Sequence, residues 1–193
     1  MIKLGLTGSI ATGKSTTAKL FAEEGIPVHD ADEAVHLIYQ NEGVVPVGDL
    51  IPSAIHEGIV DRTALKAALA ADPTLFPKLE AIVHPLVQAR EEVAFQKADA
   101  EGHTIMVFDI PLLIETGGDA RMDKVVVVHC KPETQLDRLL ARPGMDDATA
   151  HMLMDRQMPQ AQKIERADYL ISTDNGVDAA RADVRRILAE LRA

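Results

Sequence analysis

Gly8-Ser9-Ile10-Ala11-Thr12-Gly13-Lys14-Ser15 fills every fixed position of the pattern G-x-x-x-x-G-K-[ST]. The run before it, Ile2-Lys3-Leu4-Gly5-Leu6, reads as a short strand. The run after it, Thr16-Thr17-Ala18-Lys19-Leu20-Phe21-Ala22, reads as a helix. Strand, glycine loop and helix in that order commit a chain to a sheet with helices packed on it. The chemistry follows from the backbone. Amide groups of such a loop point inward at a bound polyphosphate, and the helix N-terminus adds positive potential. Glycine at 8 and 13 permits the tight turn and the close approach of main chain to phosphate. Lys14 can reach the β and γ phosphates, and the Ser15 hydroxyl can hold Mg²⁺. The expected nucleotide-binding set is Gly8, Ala11, Thr12, Gly13, Lys14, Ser15 and Thr16. The competing reading is an ordinary Gly/Ser/Thr turn between strand and helix.

The rest of the chain continues the alternation. Ile26–His29 reads as a strand and Glu33–Tyr39 as a helix. Residues 41–62 read as loop with short elements. Thr63–Ala71 reads as a helix capped by Thr63 and broken at Asp72-Pro73. Leu75–Ala100 reads as one or two helices interrupted at His84-Pro85. Thr104–Phe108 is a buried-type strand ending in Asp109, and Lys124–His129, with four consecutive valines, is another. A helix over Pro132–Ala141, a helix–turn–helix in 143–166, a strand at Tyr169–Ile171 and a closing helix over Val177–Leu191 complete the order. Five strand candidates predict a three-layer α/β fold with a five-stranded parallel sheet. The core is expected at about 1–31, 104–137 and 167–193, with 32–103 as an inserted helical subdomain that has no convincing strand.

Composition narrows the function. The 193 residues suit one ample core, and 47% hydrophobic with 26% charged residues is an ordinary soluble balance. No apolar run approaches the roughly 20 residues of a membrane span, and the loop's first glycine at residue 8 leaves no room for a signal peptide ahead of it. A net charge of −10, no Trp and 3% aromatics argue against nucleic-acid and membrane surfaces as partners. A nucleotide is compatible, because a few local cations suffice to hold it. The single Cys130 cannot form an internal disulfide, which fits a cytoplasmic location, and its place after an apolar strand suggests a buried, inert thiol. The seven histidines lack metal-ligand spacing. No obligate protein partner is expected.

Three further constellations carry chemistry. Asp30-Ala31-Asp32 follows the second strand, and ligands sit beyond the carboxyl ends of strands in open α/β sheets. A carboxylate there can accept the proton of an attacking hydroxyl, or it can simply cap the helix that starts at Glu33. Asp30 suits the cap better, and Asp32 lies nearer the inserted segment. Asp109 ends a buried strand, where an acidic group serves Mg²⁺ or substrate, or starts the turn before Pro111. Arg138, Arg142, Arg156 and Lys163 offer cations to stabilise a transferring phosphoryl group, or they form a solvated helix face.

These residues together resemble the dephospho-CoA kinase family. The resemblance is carried by Gly5–Thr16, Asp30-Ala31-Asp32, Gly58-Ile59-Val60-Asp61-Arg62, His84-Pro85-Leu86, Asp109-Ile110-Pro111-Leu112-Leu113-Ile114-Glu115, Arg156-Gln157 and Ala167–Ile171, in the family's order. It departs at Ser9, where family members often carry a second glycine, and at Ser172–Gly176, where many carry Asp-Asn-x-Gly. The resemblance implies ATP-dependent phosphorylation of the ribose 3′-hydroxyl of dephospho-coenzyme A, the last step of coenzyme A synthesis, with Mg²⁺. It implies a P-loop core, a CoA-binding insertion and a lid at about 138–166. It assigns Asp32 as catalytic base, Lys14 to the phosphates, Ser15 to the metal, beside the strand-end Asp109 read above as a metal or substrate group, and Arg138 or Arg142 to the lid's contact with ATP. Asp32, His84, Asp109 and Leu113 are implied on the acceptor side. A nucleoside monophosphate kinase and a non-catalytic nucleotide-binding regulator are the competing functions. A GTPase would be expected to carry an Asn-Lys-x-Asp motif, and the chain has no Asn-Lys pair.

Overall fold

The computed structural model describes residues 1–193. In chain order the elements begin with β1 (Ile2–Gly8), α1 (Lys14–Glu23), β2 (Val28–Asp30), α2 (Ala31–Gln40) and α3 (Val44–Leu50). There follow β3 (Ile55–His56), β4 (Ile59–Val60), α4 (Arg62–Ala71), α5 (Leu75–Ala100), β5 (Ile105–Asp109) and β6 (Lys124–His129). The chain closes with α6 (Pro132–Leu140), α7 (Asp147–Asp155), α8 (Gln160–Glu165), β7 (Tyr169–Ser172) and α9 (Val177–Arg192). Two compact units result: Met1–His29 with Ala98–Ala193, and Asp30–Lys97. No helix is long and apolar enough to cross a membrane.

The first unit is built on a five-stranded sheet in the order β2-β5-β1-β6-β7, as the alternation of strands and helices predicts. β1 runs parallel to both β5 and β6, and β6 parallel to β7. Side chains alternate across each strand, so the two faces collect different residues. On one face Leu4, Leu6, Ile105, Val107, Val126, Val128 and Ile171 pack with Phe21 of α1 and Val184, Ile187 and Leu188 of α9. On the other, Val125 and Val127 pack with Leu113 and Ile114 and against Met122, Met158 and Ile164. Burial on both faces is what the valine run of β6 announces. Chain order reverses about β1, whose neighbours β5 and β6 come much later in sequence. The carboxyl end of β1 is therefore the place where a ligand crevice opens.

The second unit has its own core of Val47, Ile51, Ala54, Val60, Leu65, Leu79 and Val83. It corrects three expectations. Residues 41–62 are more ordered than their Asn, Gly and Pro content suggests: they hold α3 and the antiparallel β3–β4 hairpin. The hairpin turns on Glu57 (φ 50°) and Gly58 (φ 79°), and a two-residue turn needs positive φ at both positions. The cap of α4 is Asp61, not Thr63, and its carboxylate accepts from the Thr63 and Ala64 amides. Finally, α5 passes through Pro85 without interruption. Proline leaves the Ala81 carbonyl without its helical partner, but both residues are exposed and water can satisfy it. Leu79 and Val83 bury the helix's other side.

Within the first unit, α8 is fastened by charge. The Lys163 ammonium is fully buried, 2.6 Å from a carboxylate oxygen of Glu115. Removing one partner of a buried pair leaves the other charge uncompensated, whereas replacing both by apolar groups does not. Lys163→Met should therefore cost about 3 kcal/mol, read by denaturant unfolding. Glu115→Met/Lys163→Met should recover most of that loss, and a double variant no better than the single one would count against the pair.

Asp61, Asp146 and Asp174 have carboxyl groups held below the usual range. The causes are the Ala64 and Thr63 amides for Asp61, the Thr149 hydroxyl and amide for Asp146, and the Lys131 amide with the Thr134 hydroxyl for Asp174. Groups depressed on folding contribute fully above their unfolded value of about 4, and that contribution is lost as pH falls through the folded values. The melting temperature should thus drop as acid is added below about pH 4. Asp174→Asn should flatten that drop, and an identical acid slope in both proteins would show that Asp174 contributes nothing to it.

Candidate active site

The loop from Gly8 to Gly13 spends mainly its carbonyls on the surrounding protein; of its amides, Ile10's is bonded to the Gln157 side chain and Thr12's to the Ser9 carbonyl within the loop. The Ile10 carbonyl accepts from the side-chain amide of Gln135 at 2.8 Å. The Ala11 carbonyl accepts from the Arg138 guanidinium at 3.4 Å, and the Thr12 carbonyl from the Thr173 hydroxyl at 2.7 Å. Arg138 also donates to the Thr173 hydroxyl and carbonyl, at 2.8 and 2.9 Å. A trans peptide is planar, with its N–H opposite its C=O. Pinning the carbonyls of residues 10 and 12 therefore turns the amides of Ala11 and Gly13 the other way, into the loop.

Local sterics agree. Gly13 has φ 98°, and a Cβ on it would lie 3.1 Å from Thr173. A Cβ on Gly8 would lie 2.6 Å from the Val128 carbonyl oxygen, a backbone atom that cannot yield. Ala11 takes φ 61°, a left-handed conformation that alanine resists, and the Arg138 bond to its carbonyl helps hold it there. Ser9 is buried. Thr12 closes the turn from within, its hydroxyl donating to the Ser9 carbonyl at 2.8 Å.

Two charged side chains meet beside the loop. Lys14 leaves the first turn of α1 and places its ammonium 2.5 Å from a carboxylate oxygen of Asp109, the last residue of β5. β5 lies directly beside β1, with Asp109 in register with Leu6, so the sheet brings the two ends together. Asp109 is buried, while Ser15 and Thr16 are exposed on the first turn of α1.

The remaining candidates separate. Asp30 is the cap of α2, accepting from the Asp32 and Glu33 amides, which leaves the Asp32 carboxylate exposed on the helix's first turn. Asp32 and His84 belong to the second unit, and His84 is exposed on α5. Arg142 is exposed just beyond α6, and Arg156 just beyond α7. One expectation needs correction. Lys163 is no lid cation, because it is buried against Glu115. Leu113 is fully buried, its side chain filling the space that Gly5 leaves. Cys130 is buried as expected, and burial pushes its thiol pKa up.

Sequence reasoning missed Gln135, Gln157, Thr173 and Asp174. The Gln157 side chain accepts from the Ile10 amide at 2.7 Å. Asp174 accepts from the Lys131 amide and the Thr134 hydroxyl, capping α6 from another element. Neutral side chains far apart in sequence give no motif. The one available signal was Arg156-Gln157, which the family resemblance already contained.

Residues 2–179 match the dephospho-CoA kinase family. A dephospho-CoA kinase of Agrobacterium fabrum is 50% identical over 193 residues, covering the whole of both chains. One from Rhodopseudomonas palustris is 48% identical over 188 residues, covering 97% of this chain and 94% of its own. Among solved structures, a Thermus thermophilus protein superposes with a TM-score of 0.84 at 30% identity, covering 98% of this chain and 97% of that one. The phosphate loop, the sheet order and these full-length likenesses lead to one conclusion: the chain belongs to the dephospho-CoA kinase family.

Proposed function

We propose that this enzyme transfers the γ-phosphoryl group of ATP to the ribose 3′-hydroxyl of dephospho-coenzyme A, giving coenzyme A and ADP. The observation that carries the reading is kinship along the full length of the chain, beside a phosphate loop whose amides are turned inward and whose lysine is in place. Inward amides of Ala11 and Gly13, with Lys14, bind and orient the polyphosphate. Lys14 neutralises charge that spreads over the transferring group. Asp32 accepts or orients the proton of the 3′-hydroxyl in line with the γ-phosphorus. The exposed Arg142 and Arg156 are the guanidinium groups free to approach the phosphates, while Arg138 braces the loop from behind. His84 belongs to the acceptor side, on the helical unit of residues 30–97.

Ser15 and Asp109 fit Mg²⁺. They offer hydroxyl and carboxylate oxygens, the hard donors this ion prefers, and the Lys14–Asp109 pair sets that carboxylate beside the phosphate loop. Bound there, the ion would screen the charge between the β and γ phosphates. A cytoplasmic location is supported by the single, buried cysteine.

Purified protein with ATP should release ADP much faster when dephospho-coenzyme A is added. Stimulation by a nucleoside monophosphate instead would overturn the acceptor assignment. For Asp32, replacement by Asn should lower turnover by about 10²-fold or more while leaving ATP affinity within about twofold. Near-normal turnover would remove Asp32 from the chemistry.

A further inference from the structure

Ile10 is held on both polar groups of its main chain by side-chain amides. Gln135 of α6, itself buried, donates to its carbonyl at 2.8 Å. Gln157, 147 residues away in sequence, accepts from its N–H at 2.7 Å. Three residues further on, Gln160 forms a two-bond pair with the Cys130 main chain, accepting from its amide at 3.0 Å and donating to its carbonyl at 3.1 Å. Met158 packs against the core between them, and Lys163 is anchored on Glu115. The segment from Gln157 onward is thus stitched to the sheet, and what precedes it, α7 with Arg156 at its end, is not stitched in this way.

From this we infer that Gln157 is a positioning residue for the phosphate transfer: it fixes the orientation of the Ile10 peptide and thereby the third position of the phosphate loop. It touches no substrate and acts through Ile10. The inference rests on the phosphotransfer reading above. Ile10's N–H is spent on Gln157, so the loop's inward amides begin at Ala11. Arg156, exposed at the end of α7, is the residue next to this bond. An acceptor lost here leaves the Ile10 amide unsatisfied in a partly buried place, where its peptide is free to rotate.

The test compares two substitutions in the full-length protein. Gln157→Met keeps the side chain's length and removes the acceptor. By direct titration with ATP, its dissociation constant should rise about tenfold, while KM for dephospho-coenzyme A stays within about twofold and the Ile10 amide resonance moves. Gln160→Met cuts the neighbouring stitch to Cys130. It should lower the melting temperature and leave ATP affinity and the Ile10 resonance unchanged. Gln157→Met binding ATP like the wild type would overturn the inference. So would Gln160→Met weakening ATP equally, which would assign the effect to general anchoring. Gln157→Asn keeps the amide but is one methylene too short, and it must show the same loss. ATP titration does not involve the acceptor. Wild-type protein that binds ATP but ignores dephospho-coenzyme A would therefore overturn the proposed function and leave this assignment standing.

Discussion

A loop that must offer amides to a ligand can use few of them to hold itself together. Everything at the head of β1 follows from that constraint. Apart from the Thr12 bonds to the Ser9 carbonyl, the conformation between Gly8 and Gly13 is imposed from outside, by side chains that grip the carbonyls of residues 10, 11 and 12 and the Ile10 amide. Those side chains come from α6 and from the turn after β7, elements that the parallel sheet brings to the same edge. The sheet therefore does more than present the loop. Its strand order collects the parts that keep the loop open.

The same edge accounts for the pairing of Lys14 with Asp109. The first is fixed by the helix that the loop begins, and the second by the neighbouring strand's last residue. In a protein with a formal charge of −10, such a local concentration of opposite charges matters more than the global sign. The long-range field disfavours polyanions, so affinity for them has to be created at short range, by oriented dipoles and a single lysine.

What could be read from the sequence divides along physical lines. Contiguous patterns were legible. The phosphate loop, the valine run of β6 and the choice of Asp30 over Asp32 as cap rest on neighbours in sequence, and five strands with helices between them set the sheet. Side chains that act across the fold were not legible. The bonds from Arg138 to Ala11 and Thr173 could not be read from its sequence neighbours, and Lys163 reads as a surface cation and is buried on Glu115. Gln135 and Gln160 carry no charge and no motif, so nothing marked them, and Gln157 was marked only through Arg156-Gln157 in the family resemblance. Local propensity also misled where water or a turn could absorb the cost, as at Pro85 in α5 and at the Glu57-Gly58 hairpin.

The two-bond pairing of Gln160 with Cys130 gives the molecule a built-in clock. The chain's only thiol is buried, on a residue whose main chain that amide pair holds, so alkylating it requires a local opening. The rate at which an alkylating probe consumes Cys130 therefore reports on local opening around that pair, with no label introduced. Ligands that quiet this opening would slow the count, so one natural cysteine reports on the breathing of the wall behind the phosphate loop.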